Sequence, residues 1–517
     1  MKLITPKRMK EWEGGIFSKY GVPSFLFMEQ AGASLFYFIV EDMKFERNKK
    51  IAVISGKGNN GGDGIVCARY LKEAGYDVVV FTLFEDLPRG EDALLNFKFY
   101  RDSGGRIFRV SFENLDLFRD ELDKYDLIVD AILGIGVERD LDGLYKDVVN
   151  IVNEKRAIVL SVDTPTGINL SNGKILGEAV KADYTLTFGI PKIGLYTYPG
   201  RYYAGNVVLK RVGFPKKDID ECEVEDYLID RDLIMGIFPG RVPWGHKGTF
   251  GKVLTISGSR GFTGAAYFTS LSVLKAGSGL SYLALPKSLD TQIKALTPEV
   301  ITYPIEEKDG HISYSAYEEL LEKIQDVDAL AVGPGLGLSE GVKRIINDLI
   351  QNVDKPIVLD ADGINVLKDN LKVISNREAP LVITPHPGEM GRLLGLSPVK
   401  VEEDRIYISR EFSKEYKNIV LVLKGGTTLI AKNGILYYNI TGNSGMATGG
   451  SGDILTGIIA SFMGRGIPPL ESAILGVYIH GLSGDMAASY KGESGITATD
   501  ILAYLPYVLK NIEEEKR

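Results

Sequence analysis

The chain has 517 residues, 60 basic and 68 acidic side chains for a net charge of −8, two cysteines and four histidines. That length asks for two or three hydrophobic cores rather than one. The acidic balance argues against nucleic acid as the main partner, because phosphate binding needs a surplus of Lys and Arg on one face, and two distant cysteines do not make a disulfide framework.

Hydrophobic residues make up 44% and charged residues 25%, as in a soluble globular protein. No apolar run approaches the ~20 residues that span a bilayer, and Met1 to Arg8 lead into no apolar signal core. The expectation is a soluble, cytoplasmic protein that needs no membrane.

From the N-terminus, short Val- and Ile-rich runs alternate with glycine loops and helical patterns, the grammar of parallel βα units. The first set lies at 51–55, 77–83, 127–132, 157–162, 184–188 and 206–210. After the first run, Gly56, Gly58 and Gly61 satisfy G-x-G-x-x-G, with a helix pattern from Ile65 to Ala74 behind them. Read alone, this is a dinucleotide site, with Glu85 as the ribose-binding acid. Asn59, Asn60 and Asp63, however, put an amide and a carboxylate inside the loop, which suits a cation or a polar substrate better. Two later strand ends carry acids beside glycine loops: Asp130 ahead of Gly134-Ile135-Gly136, and Asp163 ahead of Thr164-Pro165-Thr166-Gly167. Asn60, Asp130 and Thr166 all offer oxygen, the ligand type for a hard cation; each acid could equally be a cap or turn former. The cluster Tyr196-Thr197-Tyr198-Pro199-Gly200-Arg201-Tyr202-Tyr203 suggests an interface between copies of the chain, hence a homo-oligomer.

The charged stretch 214–226 reads as a linker. The boundary falls near residue 220, giving domains 1–220 and 221–517.

The second set of apolar runs includes 252–257, 280–285, 329–332, 357–359, 381–383, 419–423 and 428–431. Gly333-Pro334-Gly335-Leu336-Gly337, Thr384-Pro385-His386-Pro387-Gly388-Glu389 and Lys424-Gly425-Gly426-Thr427-Thr428 each follow a run, at the strand ends where parallel sheets bind ligands. His386 sits in a loop fixed by two prolines and is a candidate substrate ligand. Lys424 and its neighbours suit a nucleotide phosphate, although Gly425-Gly426 also suits a hairpin turn. Thr448-Gly449-Gly450-Ser451-Gly452-Asp453 then opens an apolar helical stretch. Free N–H groups at a helix start form an anion site. Asp453 beside that anion could take a proton from an attacking hydroxyl, or could simply cap the helix.

The ordered set of motifs in the second half resembles the ribokinase-like fold and, within it, the ADP- or ATP-dependent NAD(P)H-hydrate dehydratases. The matching segments are His246 to Val253, Gly264-Ala265-Ala266, Gly333 to Gly337, Thr384 to Glu389, Lys424 to Thr428 and Asn443 to Asp453. The resemblance implies that Ala265, Gly335, His386 and Asp453 contact the hydrated nicotinamide nucleotide. It implies that Lys424, Gly425, Gly426, Thr427 and Thr428, with Gly452, hold ADP or ATP, accompanied by Mg²⁺. Asp453 would take the hydroxyl proton during phosphoryl transfer, and loss of phosphate would restore NADH or NADPH.

The first half resembles the NAD(P)H-hydrate epimerases, a Rossmann-like three-layer α/β/α fold, through Leu26 to Gly32 and the motif Asn59 to Asp63. That resemblance implies hydrate binding by Asn59, Asn60, Gly61, Gly62 and Asp63, by Gly134, Ile135, Gly136, Val137, Glu138, Arg139 and Asp140, and by Asp163. It implies K⁺ at Asn60, Asp130 and Thr166, and proton transfer by Asp163. The family usually has Ser at the Thr166 position, a change that keeps the hydroxyl, and Thr at the Ile135 position, a change that loses it. The alternative reading of the whole chain is a small-molecule kinase fused to a ligand-binding domain.

Overall fold

The structure, a computed structural model, describes residues 1–375 and 377–516. The chain forms two compact units: Lys2–Asp226, and Tyr227 onward together with Met1.

The first unit is built on seven parallel strands: β1 (Lys50–Ser55), β2 (Asp77–Thr82), β3 (Arg106–Arg109), β4 (Leu127–Ala131), β5 (Ile158–Val162), β6 (Tyr184–Phe188) and β7 (Asn206–Lys210). Their order is β3-β2-β1-β4-β5-β6-β7, parallel throughout. The sequence pattern explains the burial, because runs such as Leu127–Ala131 are apolar on both faces and are covered on both. Ile51, Val53 and Val129 face one core, while Ala52, Ile54 and Ile128 face the other, which gives three layers. The strand order reverses between β1 and β4. This is the switch point where open α/β sheets leave a crevice beyond their carboxyl ends, and the loops singled out above flank it.

Three helices frame this crevice: α1 (Pro6–Tyr20), α2 (Ser24–Tyr37) and α3 (Asn59–Glu73). Helix α3 starts at Asn59, six residues ahead of the helix read from the sequence. Asn59 to Asp63 are therefore its first turn and not a free loop. Their glycines are there for close approach: a Cβ on Gly61 would lie 1.9 Å from the Gly56 carbonyl oxygen, and one on Gly64 would lie 2.4 Å from Ala131 Cβ. Gly32 lets α2 reach α3, since a Cβ there would meet Val66 at 2.3 Å. The charged stretch after β7 is not extended. Lys216–Glu221 is a short helix, Asp218 is buried and accepts from Lys19 and from the Tyr20 hydroxyl at 2.8 Å, and Cys222 is buried.

The second unit contains β8 (Lys252–Ile256), β9 (Leu280–Pro286), β10 (Ile301–Ile305), β11 (Ala329–Val332), β12 (Ile357–Leu359), β13 (Leu381–Ile383), β14 (Ile419–Leu423), β15 (Thr428–Lys432) and β16 (Ile435–Asn439). Their order is β16-β15-β14-β13-β12-β11-β8-β9-β10, parallel from β14 to β10 and antiparallel through β14, β15 and β16. The principal helices are α4 (Thr263–Lys275), α5 (Pro387–Leu394), α6 (Ser451–Gly464), α7 (Pro469–Lys491) and α8 (Ala498–Lys516). Helix α6 is apolar all round and buried from Ile454 to Gly464. Gly457 lets it touch α4, because a Cβ there would lie 2.0 Å from Ser272 Oγ. No helix among the described residues is long and apolar enough to cross a membrane.

Candidate active sites

In the second unit the N-terminus of α6 is the focus. Gly450 caps it at φ +91°, a conformation glycine adopts without cost. Ser451, Gly452 and Asp453 form the first turn, so their N–H groups have no partners within the helix. A Cβ on Gly452 would lie 3.2 Å from Lys424 Nζ and 3.7 Å from Asp360 Oδ2. The lysine predicted to meet a phosphate is thus held just beside this loop. Lys424 leaves the end of β14, its N–H donates to the Pro385 carbonyl at 2.9 Å, and its ammonium is 2.8 Å from Asp360 Oδ1 and 3.9 Å from Glu389 Oε2. Burial works against its charge, but Asp360 and Glu389 outweigh burial and raise its pKa, so it stays an ammonium.

Asp453 sits in the opposite balance. Burial, then the charge of Asp360, pushes its carboxyl up to about 6, with Lys424 pulling it down and Glu389 and Asp362 adding to the rise. A carboxylate tuned to that range is ionised at neutral pH yet basic enough to accept a proton.

His386 combines both of its readings. It is the N-cap of α5: Nδ1 accepts from the N–H groups of Gly388 at 3.0 Å and Glu389 at 3.4 Å, while Glu389 Oε2 accepts from the His386 N–H at 2.8 Å. Burial and Lys424 lower its pKa, so the ring is neutral. With Nδ1 accepting, the proton lies on Nε2, which faces Glu389 Oε1 at 3.4 Å.

The segment Lys424 to Thr428 is both phosphate-site candidate and hairpin. It joins the antiparallel pair β14 and β15, and Thr428 Oγ1 donates to the Gly425 carbonyl at 3.3 Å. Buried Arg405 braces it by donating to the carbonyls of Leu423 and Lys424, both at 3.2 Å. A Cβ on Gly335 would lie 2.9 Å from Ala265 Cβ, which brings those two predicted contacts together. Ser257 and Ser259 tie the Gly333–Gly337 loop down by donating to the carbonyls of Pro334 at 2.6 Å and Gly335 at 2.7 Å.

Sequence reasoning missed Asp360 and Thr456 here, and His480, whose Nε2 lies 3.3 Å from Ser451 Oγ behind the loop. Burial drives the pKa of His480 down to about 4. Asp360 was within reach of the rule that found Asp130 and Asp163: an acid directly after an apolar run.

In the first unit, Asp163 lies after β5 with φ +60°, a conformation that costs a non-glycine residue roughly 1–3 kcal/mol and marks functional sites. Its Oδ1 accepts from Lys192 Nζ at 2.5 Å, Thr187 Oγ1 at 3.0 Å and the Phe188 N–H at 3.1 Å. Lys192 is 1% exposed. Two further acids face this pair. Burial raises Glu13, on α1, to about 7, with Lys192 lowering and Asp163 raising it. Asp63 is raised well above the usual carboxylate range by burial, then by Asp163 and Glu13. Neither Glu13 nor Lys192 stood out in the sequence.

Asp130 is fully buried. Its Oδ1 accepts from Thr166 Oγ1 at 2.8 Å and the Ile132 N–H at 3.3 Å; its Oδ2 accepts from Ser161 Oγ at 2.8 Å and the Thr166 N–H at 2.9 Å. No cationic side chain pairs with it among the described residues. Asn60 lies against Gly134, and its Nδ2 is buried without a hydrogen-bond partner among the described residues. In the Gly134–Asp140 loop, Ile135 packs against the core, and Glu138, Arg139 and Asp140 are exposed.

Comparison with known proteins matches each half of the chain to a family. The NAD(P)H-hydrate dehydratase family matches residues 253–507, and the YjeF-related protein N-terminus family matches residues 25–194. A bifunctional NAD(P)H-hydrate repair enzyme from Moorella thermoacetica is 39% identical over 100% of this chain and 98% of its own length. One from Thermofilum pendens is 38% identical over 100% of this chain and 97% of its own. Among solved structures, a ribokinase-like superfamily protein from Enterococcus faecalis is 26% identical, with a TM-score of 0.50, covering 56% of this chain and 98% of its own.

Proposed function

The chain belongs to the family of bifunctional NAD(P)H-hydrate repair enzymes, and from that premise we propose how its residues divide the work. The first unit interconverts the R and S hydrates of NADH and NADPH. The second, ribokinase-like unit dehydrates the S form at the expense of an adenine nucleotide.

The observation that carries the dehydratase assignment is the convergence of Asp453, Lys424 and the open first turn of α6. Lys424, Gly425, Gly426, Thr427, Thr428 and Gly452 hold the ADP or ATP. Ala265, Gly335, His386 and Asp453 hold the hydrate. Asp453 takes the proton of the C6 hydroxyl as its oxygen attacks the terminal phosphorus, and the bond to the nucleotide breaks. The N–H groups of α6 and the Lys424 ammonium receive the charge on the transferring group. Phosphate then leaves C6 with the C–O electron pair, a proton leaves C5, and the double bond of the dihydronicotinamide is restored. Asp360, Asp362, Glu389 and Asp453 share one ammonium here, a surplus of negative charge that fits Mg²⁺ bound through the nucleotide phosphates. When bound, Mg²⁺ supplies charge neutralisation and needs few protein ligands.

In the first unit Asn59, Asn60, Gly61, Gly62, Asp63, the Gly134–Asp140 loop and Asp163 hold the hydrate. Its C6 carries both a hydroxyl and the ring nitrogen, so removal of the hydroxyl proton by Asp163 opens the C6–N bond to an aldehyde. Asp63, whose proton burial holds more tightly than in an ordinary carboxyl, gives a proton to the nitrogen. Closure on the other face, with the transfers reversed, yields the other epimer. Asn60, Asp130 and Thr166 hold K⁺, supported by the buried carboxylate of Asp130 without a cationic partner; the ion supplies the missing positive charge. Tyr198 and Tyr202 expose large rings and support self-association of the chain.

The assignments are tested on separated epimers. Asp163→Asn leaves the R hydrate consumed at the spontaneous rate while S is repaired normally; Asp453→Asn stops recovery of NADH from both. Enzyme-dependent loss of R in Asp163→Asn, or near-wild-type turnover in Asp453→Asn, overturns the corresponding role. A stable phosphorylated product from the wild type would favour a kinase.

A further inference from the structure

We propose that Asp360 is the positioning residue of the dehydratase site, a buried clamp that fixes Lys424 beside the phosphate-receiving turn of α6 and keeps a negative charge next to Asp453. Asp360 is 1% exposed and directly follows β12. Its two carboxylate oxygens point to different elements. Oδ1 accepts from Lys424 Nζ at 2.8 Å, at the end of β14, and Oδ2 accepts from Thr456 Oγ1 at 2.8 Å, on α6. Its main chain is equally committed. The Asp360 N–H donates to the Val332 carbonyl at 3.1 Å, its own carbonyl accepts from the Gly363 N–H at 2.9 Å, and a Cβ on Gly333 would lie 1.9 Å from that carbonyl oxygen. The next residue, Ala361, has φ +50°, a sparsely populated conformation for alanine that persists only where the surroundings enforce it. One residue, through main chain and side chain together, thus joins the end of β11, the lysine and the catalytic helix.

The physical consequence is twofold. A lysine has four rotatable bonds, and an ammonium held by a buried carboxylate reaches the phosphoryl group already oriented. The charge of Asp360 also opposes ionisation of Asp453, which keeps that base near the pH at which it works. The groups facing Asp453 are Asp360 and Asp362 after β12, Lys424 after β14, and Glu389 with His386 at the start of α5. His480 stands behind Ser451 and titrates far lower.

The inference rests on Asp453 being the base, so the test separates the two. Full-length wild type, Asp360→Asn, Thr456→Val and Asp453→Asn are assayed with purified S hydrate and Mg-ADP across pH. In Asp360→Asn we expect kcat to fall about tenfold or more, with the hydrate KM changed much less. We expect the acid limb of its kcat profile to move down by about half a pH unit or more, since a like charge has been removed. The same shift in a His386→Asn background assigns the limb to Asp453. Thr456→Val loosens the clamp but keeps the charge, so kcat falls and the limb stays in place. An unmoved limb with near-wild-type kcat in folded Asp360→Asn overturns the proposal. If that variant fails to fold, an unchanged kcat in Thr456→Val overturns it. Near-wild-type activity in Asp453→Asn sinks the assignment of the base instead.

Discussion

Replacing Asp453 by Asn should slow dehydration severely and stabilise the protein. The side chain keeps its shape and loses its charge. In the native state the carboxyl is raised from the ordinary 3.8 to about 6, by burial and then by Asp360. A raised acid means the folded state binds the proton more tightly than the unfolded chain. Stability therefore falls as pH rises from 3.8 to about 6, and the cost is constant above that. At about 1.36 kcal/mol per pH unit, the full cost is roughly 3 kcal/mol near pH 8 and about half that at pH 5. Asn carries none of it. Calorimetry of the full chain should show the transition of the second unit several degrees higher in Asp453→Asn at pH 8, at roughly 2–4 °C per kcal/mol for a unit of this size. The gain should shrink by about half at pH 5. Dehydration should fall about 10²–10⁴-fold, the usual loss of a general base. A lower melting temperature at pH 8, or a gain independent of pH, would refute the claim that burial strains this carboxylate.

Gly452→Ala places a Cβ 3.2 Å from Lys424 Nζ. The nucleotide KM should rise about tenfold, from the loss of one charge-assisted contact, while the melting temperature holds. Unaltered nucleotide affinity in calorimetric titration would count against Gly452 lining the phosphate site. Lys192→Met removes the cation 2.5 Å from Asp163, leaving three acids facing one another. Epimerisation should drop at least about 10²-fold, with dehydration of pure S hydrate unaffected; chiral separation of the remaining hydrate reads this directly. Thr166→Val deletes a hydroxyl that both bonds Asp130 and accepts from the Leu133 N–H at 3.0 Å. Half-maximal activation of the epimerase by K⁺ should then need more salt, and an identical K⁺ titration would remove Thr166 from the cation site.

The interior strands of both sheets were legible because Val and Ile runs bounded by glycine have few other uses. Two of the missed strands lie at sheet edges. Arg106–Arg109 is four residues long and begins and ends on an exposed arginine, and Ile301–Ile305 contains a proline and is largely solvent-facing. Ile435–Asn439 follows a two-residue turn after β15 and pairs with it antiparallel. Helix starts were misplaced for a physical reason. Asn59 to Asp63 and Ser451 to Asp453 are rich in glycine, which reads as loop, yet Gly61 and Gly64 are needed where α3 presses on the strands. Asp163 and Asp453 were legible as acids beside glycines at strand or helix ends. Asp360 carries the same local signal, an acid directly after an apolar run, but its role was hidden, because its partners Lys424 and Thr456 are 64 and 96 residues away and only the sheet order brings them together. Lys192 carried no signal of its own, and nothing local in the sequence shows that the chain folds it inward onto Asp163.

The most direct test of two repair activities in one chain is to supply an equal mixture of R and S hydrates with Mg-ADP or Mg-ATP, following near-ultraviolet absorbance and both epimers together. The expected result is complete recovery of dihydronicotinamide absorbance, with both epimers disappearing faster than they interconvert unaided. Recovery that stops when the S epimer is exhausted, or a stable phosphorylated product without recovery under either nucleotide, would contradict it.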